Sequence, residues 1–225
     1  GSTNFDGSIL SVSQTNETAG FSIITGTTSN VEANDMTETF GHGLGGTPDF
    51  LIVKPRSASF QWTVWTSAVS ISDVQGLVLN TNGALFTNSS YRTIQATSSV
   101  VQIGRQAVEN NSTTFVCYAF KEIEGYSKFG AFTGNNSSDG TYCFLNFRPA
   151  WIMIKATAQA ESWGIHDNTR NTFNVVDNNL LANSSLAENG VGTARHQLDF
   201  LSNGFKLRNA GDANPSINNE STTYI

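Results

Sequence analysis

The sequence predicts an all-β protein built as two tandem antiparallel β-sandwiches of the jelly-roll or lectin-like kind. Three observations predict it. Short apolar runs alternate with turn-forming stretches such as NTNG, GNNSSDG, LSNG and RNAGDANP, at the spacing of sandwich strands. One phrase is written twice, GTPDFLIVK at Gly46–Lys54 and FRPAWIMIK at Phe147–Lys155. Charged residues make up only 13% of the 225, so polarity comes from Asn, Ser, Thr and Gly, which suit turns and strands better than helices.

The duplication extends beyond that phrase. Phe21–Gly26 (FSIITG) matches Phe129–Gly134 (FGAFTG) at an offset of 108. Pro48 and Pro149 match at 101, as do Trp62 and Trp163. Ser112–Val116 (STTFV) matches Ser221–Ile225 (STTYI) at 109. A drifting offset means insertions and deletions between fixed elements, which is where loops lie. The expected division is a connecting segment over residues 1–20, a first sandwich over 21–124 and a second over 125–225. Only Glu122–Ser127 joins the two, a linker too short for loose tethering, which predicts a rigid end-to-end pair.

Each element has its own signal. FLIVK and WIMIK read as strands buried on both faces, each ending in a lysine that snorkels to water. FQWTVW places Trp62 and Val64 on one face. TTFVCYAF puts Phe115, Cys117 and Ala119 on one face and Val116, Tyr118 and Phe120 on the other; neither is polar, so it reads as a central strand. Leu198–Arg208 reads as strand, Ser-Asn-Gly turn, strand. No window has a helical period, although Ser184–Asn189 could form one turn. The first unit continues past STTFV into CYAFKE, whereas the second stops at STTYI; the expectation is that the second lacks half its last strand and that the natural chain continues past Ile225.

A net charge of −6 argues against nucleic acid and anionic membrane surfaces, which attract basic faces. No apolar run has the roughly 18 residues needed to span a bilayer. Gly1–Ser2 shows no signal-peptide pattern, so targeting gives no localisation. Cys117 and Cys143 sit inside apolar runs and read as buried thiols, with a disulfide as the second reading. No ligand set for a metal accompanies them, and no EF-hand spacing is present.

The string GYSKFGAFTGNNSSDGTYCFLNFRPAWIMIK, preceded by FKEIEGY and followed by DFLSNGFKLR, resembles a repeat of bacteriophage tail-fibre and other virion appendage proteins. The upstream half, TAGFSIITGT…FGHGLGGTPDFLIVK, resembles the partner unit of the same proteins, so the likeness runs from about Asn4 to Ile225. The resemblance implies a structural or adhesion protein of the virion, located in a tail or other external appendage. It also implies assembly with other virion proteins and a homo-oligomer, with trimers the usual arrangement. It carries no catalytic residues to transfer and no cofactor.

Catalysis needs convergent titratable groups. His42, in FGHGLGG, has no G-x-S-x-G elbow beside it and reads as a turn histidine bonded to a loop carbonyl. Acids are scattered over turns, as at Asp139 and Asp212, without the facing pair that glycoside hydrolysis uses. Trp62 and Trp163 recur and read as core; Arg56 and Arg148 flank the repeated phrase and read as loop salt bridges. Trp65 has no aromatic counterpart, because His166 takes its place. With Tyr91 and Arg92, Trp65 is the candidate exposed platform on which a host-surface polysaccharide would stack, and Asn88, Asn135, Asn136, Asn168 and Asn171 would satisfy its hydroxyls. His166, Asp167 and Arg170 form the densest polar cluster and are the second candidate ligand contact. Two functional readings follow. One is a non-enzymatic phage appendage protein. The other is a pair of carbohydrate-binding modules from a secreted or cell-surface protein. A depolymerase fragment would require a carboxylate pair.

Overall fold

The computed structural model describes residues 1–31, 36–189, 196–209 and 217–225. The fold is all-β and antiparallel, in two compact units: Gly1–Val78 with Phe86–Phe129, and Leu79–Leu85 with Gly130–Ile225. The expected loop around Asp212 lies outside the described residues.

In the first unit the strands are β1 (Ser2–Asn4), β2 (Ser11–Asn16), β3 (Phe21–Thr27), β4 (Thr39–Gly41), β5 (Phe50–Pro55), β6 (Thr63–Thr66), β7 (Gln75–Val78), β8 (Phe86–Thr87), β9 (Ile94–Ala96) and β10 (Val100–Ile103). A single helical turn, α1 (Arg105–Val108), and β11 (Thr114–Phe120) complete it. One sheet runs β1-β2-β3-β11-β5-β6-β7-β8 and a second runs β4-β10-β9. β11 lies centrally between β3 and β5, and the expected face holds: Phe115, Cys117 and Ala119 are fully buried. The opposite face is half-buried rather than enclosed. Phe40 of the small sheet packs on Phe115 at 4.8 Å between ring centroids, joining the two layers in a sandwich-like core.

Residues 1–20 were expected to be a connector. They instead supply β1 and β2, which extend the large sheet beyond β3. The Ser-, Thr- and Asn-rich sequence SVSQTN hides this strand, because a strand one place in from the sheet's edge and half in water needs little apolar content. The helical turn falls at Arg105–Val108, where Ala107 and Val108 are buried, and not at Ser184–Asn189.

In the second unit the strands are β12 (Phe132–Thr133), β13 (Tyr142–Phe144), β14 (Trp151–Ile154), β15 (Gly164–Asp167), β16 (Leu180–Leu181), β17 (Leu198–Leu201), β18 (Gly204–Leu207) and β19 (Thr223–Tyr224). They pair as β12-β19, β13-β18-β17 and β14-β15-β16. Ala156 bridges Tyr224, and Lys155 and Ile225 exchange backbone hydrogen bonds of 3.0 and 2.9 Å, so β19 sits between β12 and the end of β14. The resulting order β12-β19-β14-β15-β16 repeats β3-β11-β5-β6-β7, and β13-β18-β17 repeats β4-β10-β9. All the second unit's described strands thus have counterparts in the first, whose β1, β2 and β8 have none.

The ladder registers test the sequence offsets. Phe115 faces Pro55 and Tyr224 bridges Ala156, so the offsets of 109 and 101 hold together. Phe115 also faces Gly26, whereas Tyr224 faces Phe132, an offset of 106 where the sequence match gives 108. The slip is two residues, and an even slip leaves every side chain on its original face. Phe129, expected to open the second sandwich, packs in the first unit, where its ring stacks on Phe50 at 5.7 Å.

β14 was expected to be buried on both faces, yet Trp151 is 55% exposed while Ile152 and Ile154 point inward. The second core gathers Ile152, Ile154, Val176, Leu198, Phe205, Leu207 and Tyr224 with neighbours. β17 and β18 form the expected hairpin with Leu201 facing Gly204. Gly204 has a reason beyond the turn: a Cβ there would run into the backbone carbonyl of Cys143 on β13. Cys117 and Cys143 are both free thiols.

Candidate functional site

The predicted site residues do not form an exposed platform. Trp65 lies in β6, 8% exposed, with its indole N–H buried and without a hydrogen-bond partner among the described residues. Trp65 faces Leu51 across the ladder, so its ring is part of the first unit's sheet packing. Tyr91 is half-buried beneath the Arg105 guanidinium, 5.2 Å from its centroid. Arg92 pairs with Asp73 at 3.2 Å. Three of the loop amides are engaged in local hydrogen bonds. Asn88 donates to Gln106 at 2.7 Å, Asn135 donates to the Asp139 carbonyl, and Asn171 accepts from the Asn178 N–H. Arg56 and Arg148 are exposed and take part in none of the ion pairs found among the described residues.

His42 is fully buried and structural: Nδ1 accepts from the Leu44 N–H at 3.1 Å, which leaves Nε2–H to donate to the Thr97 carbonyl at 3.3 Å. Its burial lowers its pKa, against the opposing pull of that carbonyl.

His166, Asp167 and Arg170 are brought together at the end of β15. Arg170 binds Asp167 through Nε at 2.6 Å and Glu188 through Nη1 at 2.9 Å. Burial pushes the Asp167 carboxyl up, but the backbone N–H and guanidinium of Arg170 outweigh it and hold the pKa low. His166 turns the other way. It is fully buried, its ring stacks on His196 at 5.8 Å, and neither of its nitrogens has a hydrogen-bond partner among the described residues. Burial first, then His196 and Arg170, push its pKa down to about 3, so it is neutral. Gly164 admits this pair: a Cβ there would lie 2.9 Å from His196 Nδ1. Among the described residues no three His, Cys, Asp or Glu side chains converge as a metal site.

A second, buried polar cluster lies elsewhere, around the lysine that ends FRPAWIMIK. Lys155 does not snorkel to water. It is fully buried, and Nζ donates to the carbonyls of Ala156 at 2.6 Å and Gln159 at 3.3 Å. Lys54, its counterpart, is half-buried and donates to the next carbonyl too, that of Pro55 at 3.0 Å. Burial lowers the Lys155 pKa to about 8, with Glu161 opposing. Glu161 is 3% exposed and accepts from Asn219 Nδ2 at 2.7 Å. Asn219 Nδ2 also donates to Gln159 Oε1 at 3.3 Å, and the Asn219 backbone N–H donates to the Tyr224 hydroxyl at 2.8 Å. Burial, reinforced by Glu161, pushes the Tyr224 phenol up. Sequence reasoning passed over this cluster because Asn219 lies 58 residues beyond Glu161 in the chain; Lys155 within an apolar run was the only available signal.

On the outside of the first unit, a surface cleft of about 550 Å³ is lined by Gln14, Thr15, Asn16, Glu17, Phe21 and Ile23. β2 and its turn supply the polar wall, and β3 supplies Phe21 and Ile23 as an apolar floor. Phe21 is braced from behind by Phe120, whose ring is 4.7 Å away. A carboxylate and two amides around an aromatic ring suit a ligand with apolar C–H faces and many hydroxyls.

The chain belongs to the family Domain of unknown function (DUF7483), whose model matches residues 1–225. No curated protein and no solved structure matches it.

Proposed function

We propose that this DUF7483 member is a non-catalytic structural and adhesion protein of a bacteriophage virion appendage, such as a tail fibre. It works as a homo-oligomer, with a trimer favoured, alongside other virion proteins, and touches polysaccharide on the host surface. The observation that carries this reading is the duplication. The strands of the second unit follow the order of their counterparts in the first, while the loops between them are rewritten. A scaffold copied in series with freely varying loops is how an appendage gains length and contact surface. The phage setting rests on the GYSKFG, FRPAW and NGFKLR motifs.

The glycan contact moves from Trp65 to the cleft floored by Phe21, because a buried indole offers no face to a sugar. Light scattering with electron microscopy of the assembly tests the appendage reading: a defined oligomer is expected, and a strict monomer with no assembly partner overturns it. The cleft also favours a second reading, a pair of carbohydrate-binding modules on a secreted or cell-surface protein. A glycan array separates the two, since a monomer that binds glycans selectively, with affinity weakened by Gln14→Ala or Glu17→Ala, supports the second.

A further inference from the structure

We infer that the second unit forms an intramolecular isopeptide bond between Lys155 Nζ and Asn219 Cγ, with Glu161 as the proton carrier. The reading holds whatever the chain attaches to, since it rests only on the buried cluster.

Three features assemble the reaction. The first is the nucleophile. An amine must be uncharged to attack a carbonyl, and desolvation favours that form. Lys155 is fully buried at the end of β14, its amine held by two backbone carbonyls and no carboxylate within ion-pair distance among the described residues. Its pKa of about 8 leaves a useful fraction neutral at neutral pH.

The second feature is the electrophile. Asn219 is 8% exposed, and its Oδ1 is buried without a hydrogen-bond partner among the described residues. Its neighbour Asn218 is the contrast: Nδ2 donates to Asn135 Oδ1 and the carbonyls of Ser137 and Asn209, and Oδ1 accepts from the Asn135 N–H. Asn218 is a structural amide; Asn219 keeps a buried acceptor that no described residue satisfies.

The third feature is the acid–base group. Glu161 Oε1 already holds the Nδ2 that must leave, at 2.7 Å. Gln159 draws the partners together: its carbonyl accepts from both Lys155 Nζ and the Glu161 backbone N–H, and its side-chain oxygen accepts from Asn219 Nδ2.

The step balances without an oxidant, reductant or cofactor. Glu161 takes a proton from the lysine ammonium, and the freed Nζ pair adds to Cγ of Asn219. Nζ sheds two protons in all: one passes through Glu161 to Nδ2, and the other stays on the Glu161 carboxyl until it leaves with the ammonia as ammonium or passes to water. The Cγ–Nδ2 bond breaks and ammonia departs, leaving a secondary amide between Cγ and Nζ. The bond ties the end of β14 to the approach of β19, whose ladder here is only Thr223–Tyr224.

The first unit serves as an internal control. At the offsets of 101 and 109, Lys54 is retained, but Phe60 stands where Glu161 does, and Asn110, matching Asn219, is exposed. With no carboxyl and no buried amide, Lys54 forms no such bond.

Intact-mass spectrometry of the folded full chain tests the proposal. The expected result is a mass about 17 Da below that of the sequence, one ammonia lost, with a branched peptide joining Lys155 to Asn219 after proteolysis. Lys155→Met and Glu161→Gln should restore the full mass and slow migration in a denaturing gel. A full mass for the folded wild-type chain overturns the proposal. So does a loss of ammonia that persists in Lys155→Met, which would mark cyclisation of an asparagine instead. The wild-type peptide map decides alone, so a variant that fails to fold does not blunt the test.

Discussion

Trp65 and His166 occupy one position of the duplicated sheet: Trp65 faces Leu51 in the first unit, and His166 faces Ile152 in the second. Both are buried, so the substitution replaces an indole by an imidazole inside a core. The buried imidazole adds an acid-sensitive group to the second unit at a position where the first carries an indole that does not titrate.

The sign follows from the His166 pKa, which falls from 6.5 to about 3 on folding. The folded state favours the neutral ring, so this stabilising contribution is complete above about 6.5 and is lost as pH falls towards 3. His196, Arg170 and Asp167 are the ionisable groups that bear on the ring. Urea unfolding of the second unit is expected to weaken steadily from pH about 7 to pH about 4.5, and His166→Leu should flatten that slope. An unchanged slope in the variant would show that other groups drive the loss.

Phe40 and Phe115 join the layers of the first unit and are both fully buried. Phe115→Ala should destabilise it by about 3–5 kcal/mol. A double-mutant cycle with Phe40→Ala should return a coupling of about 0.5–1.5 kcal/mol, the range for an aromatic pair beyond its buried area. Strict additivity would mean that the rings do not share a contact.

Gly204→Ala puts a methyl group against the Cys143 carbonyl, a backbone atom in a paired strand that cannot swing aside. A loss of about 2 kcal/mol or more in the second unit is expected by chemical denaturation. Gly130→Ala, where a Cβ meets nothing within 4 Å, is the matched control and should be near neutral.

Both thiols should resist labelling in the native state. Burial pushes the Cys117 thiol far up, and the half-buried Cys143 up to about 12, so little thiolate forms at neutral pH. A colorimetric thiol assay should count two cysteines after unfolding and close to none before it. Rapid native labelling at Cys117 would show that the first core opens far more often than its packing implies.

The sequence by itself determined the duplication, the all-β class and the core face of β11. Each rests on local pattern: repeated phrases, period-two apolarity and turn residues at fixed spacing. The paired offsets of 101 and 109 even survive as ladder register between β14 and β19. What the tertiary structure decided is non-local. It placed SVSQTN in a sheet, although its composition looks like a connector, because β3 offered a partner edge. It slid β12 by two residues, a shift the alternating pattern cannot register. It buried Lys155 beside Glu161 and Asn219, whereas Lys54 at the end of the same strand stays half-buried. Nothing in either apolar run distinguishes the two lysines. Their difference comes from segments that arrive from elsewhere in the chain: an acid six residues on in place of Phe60, and an asparagine in the approach to the last strand.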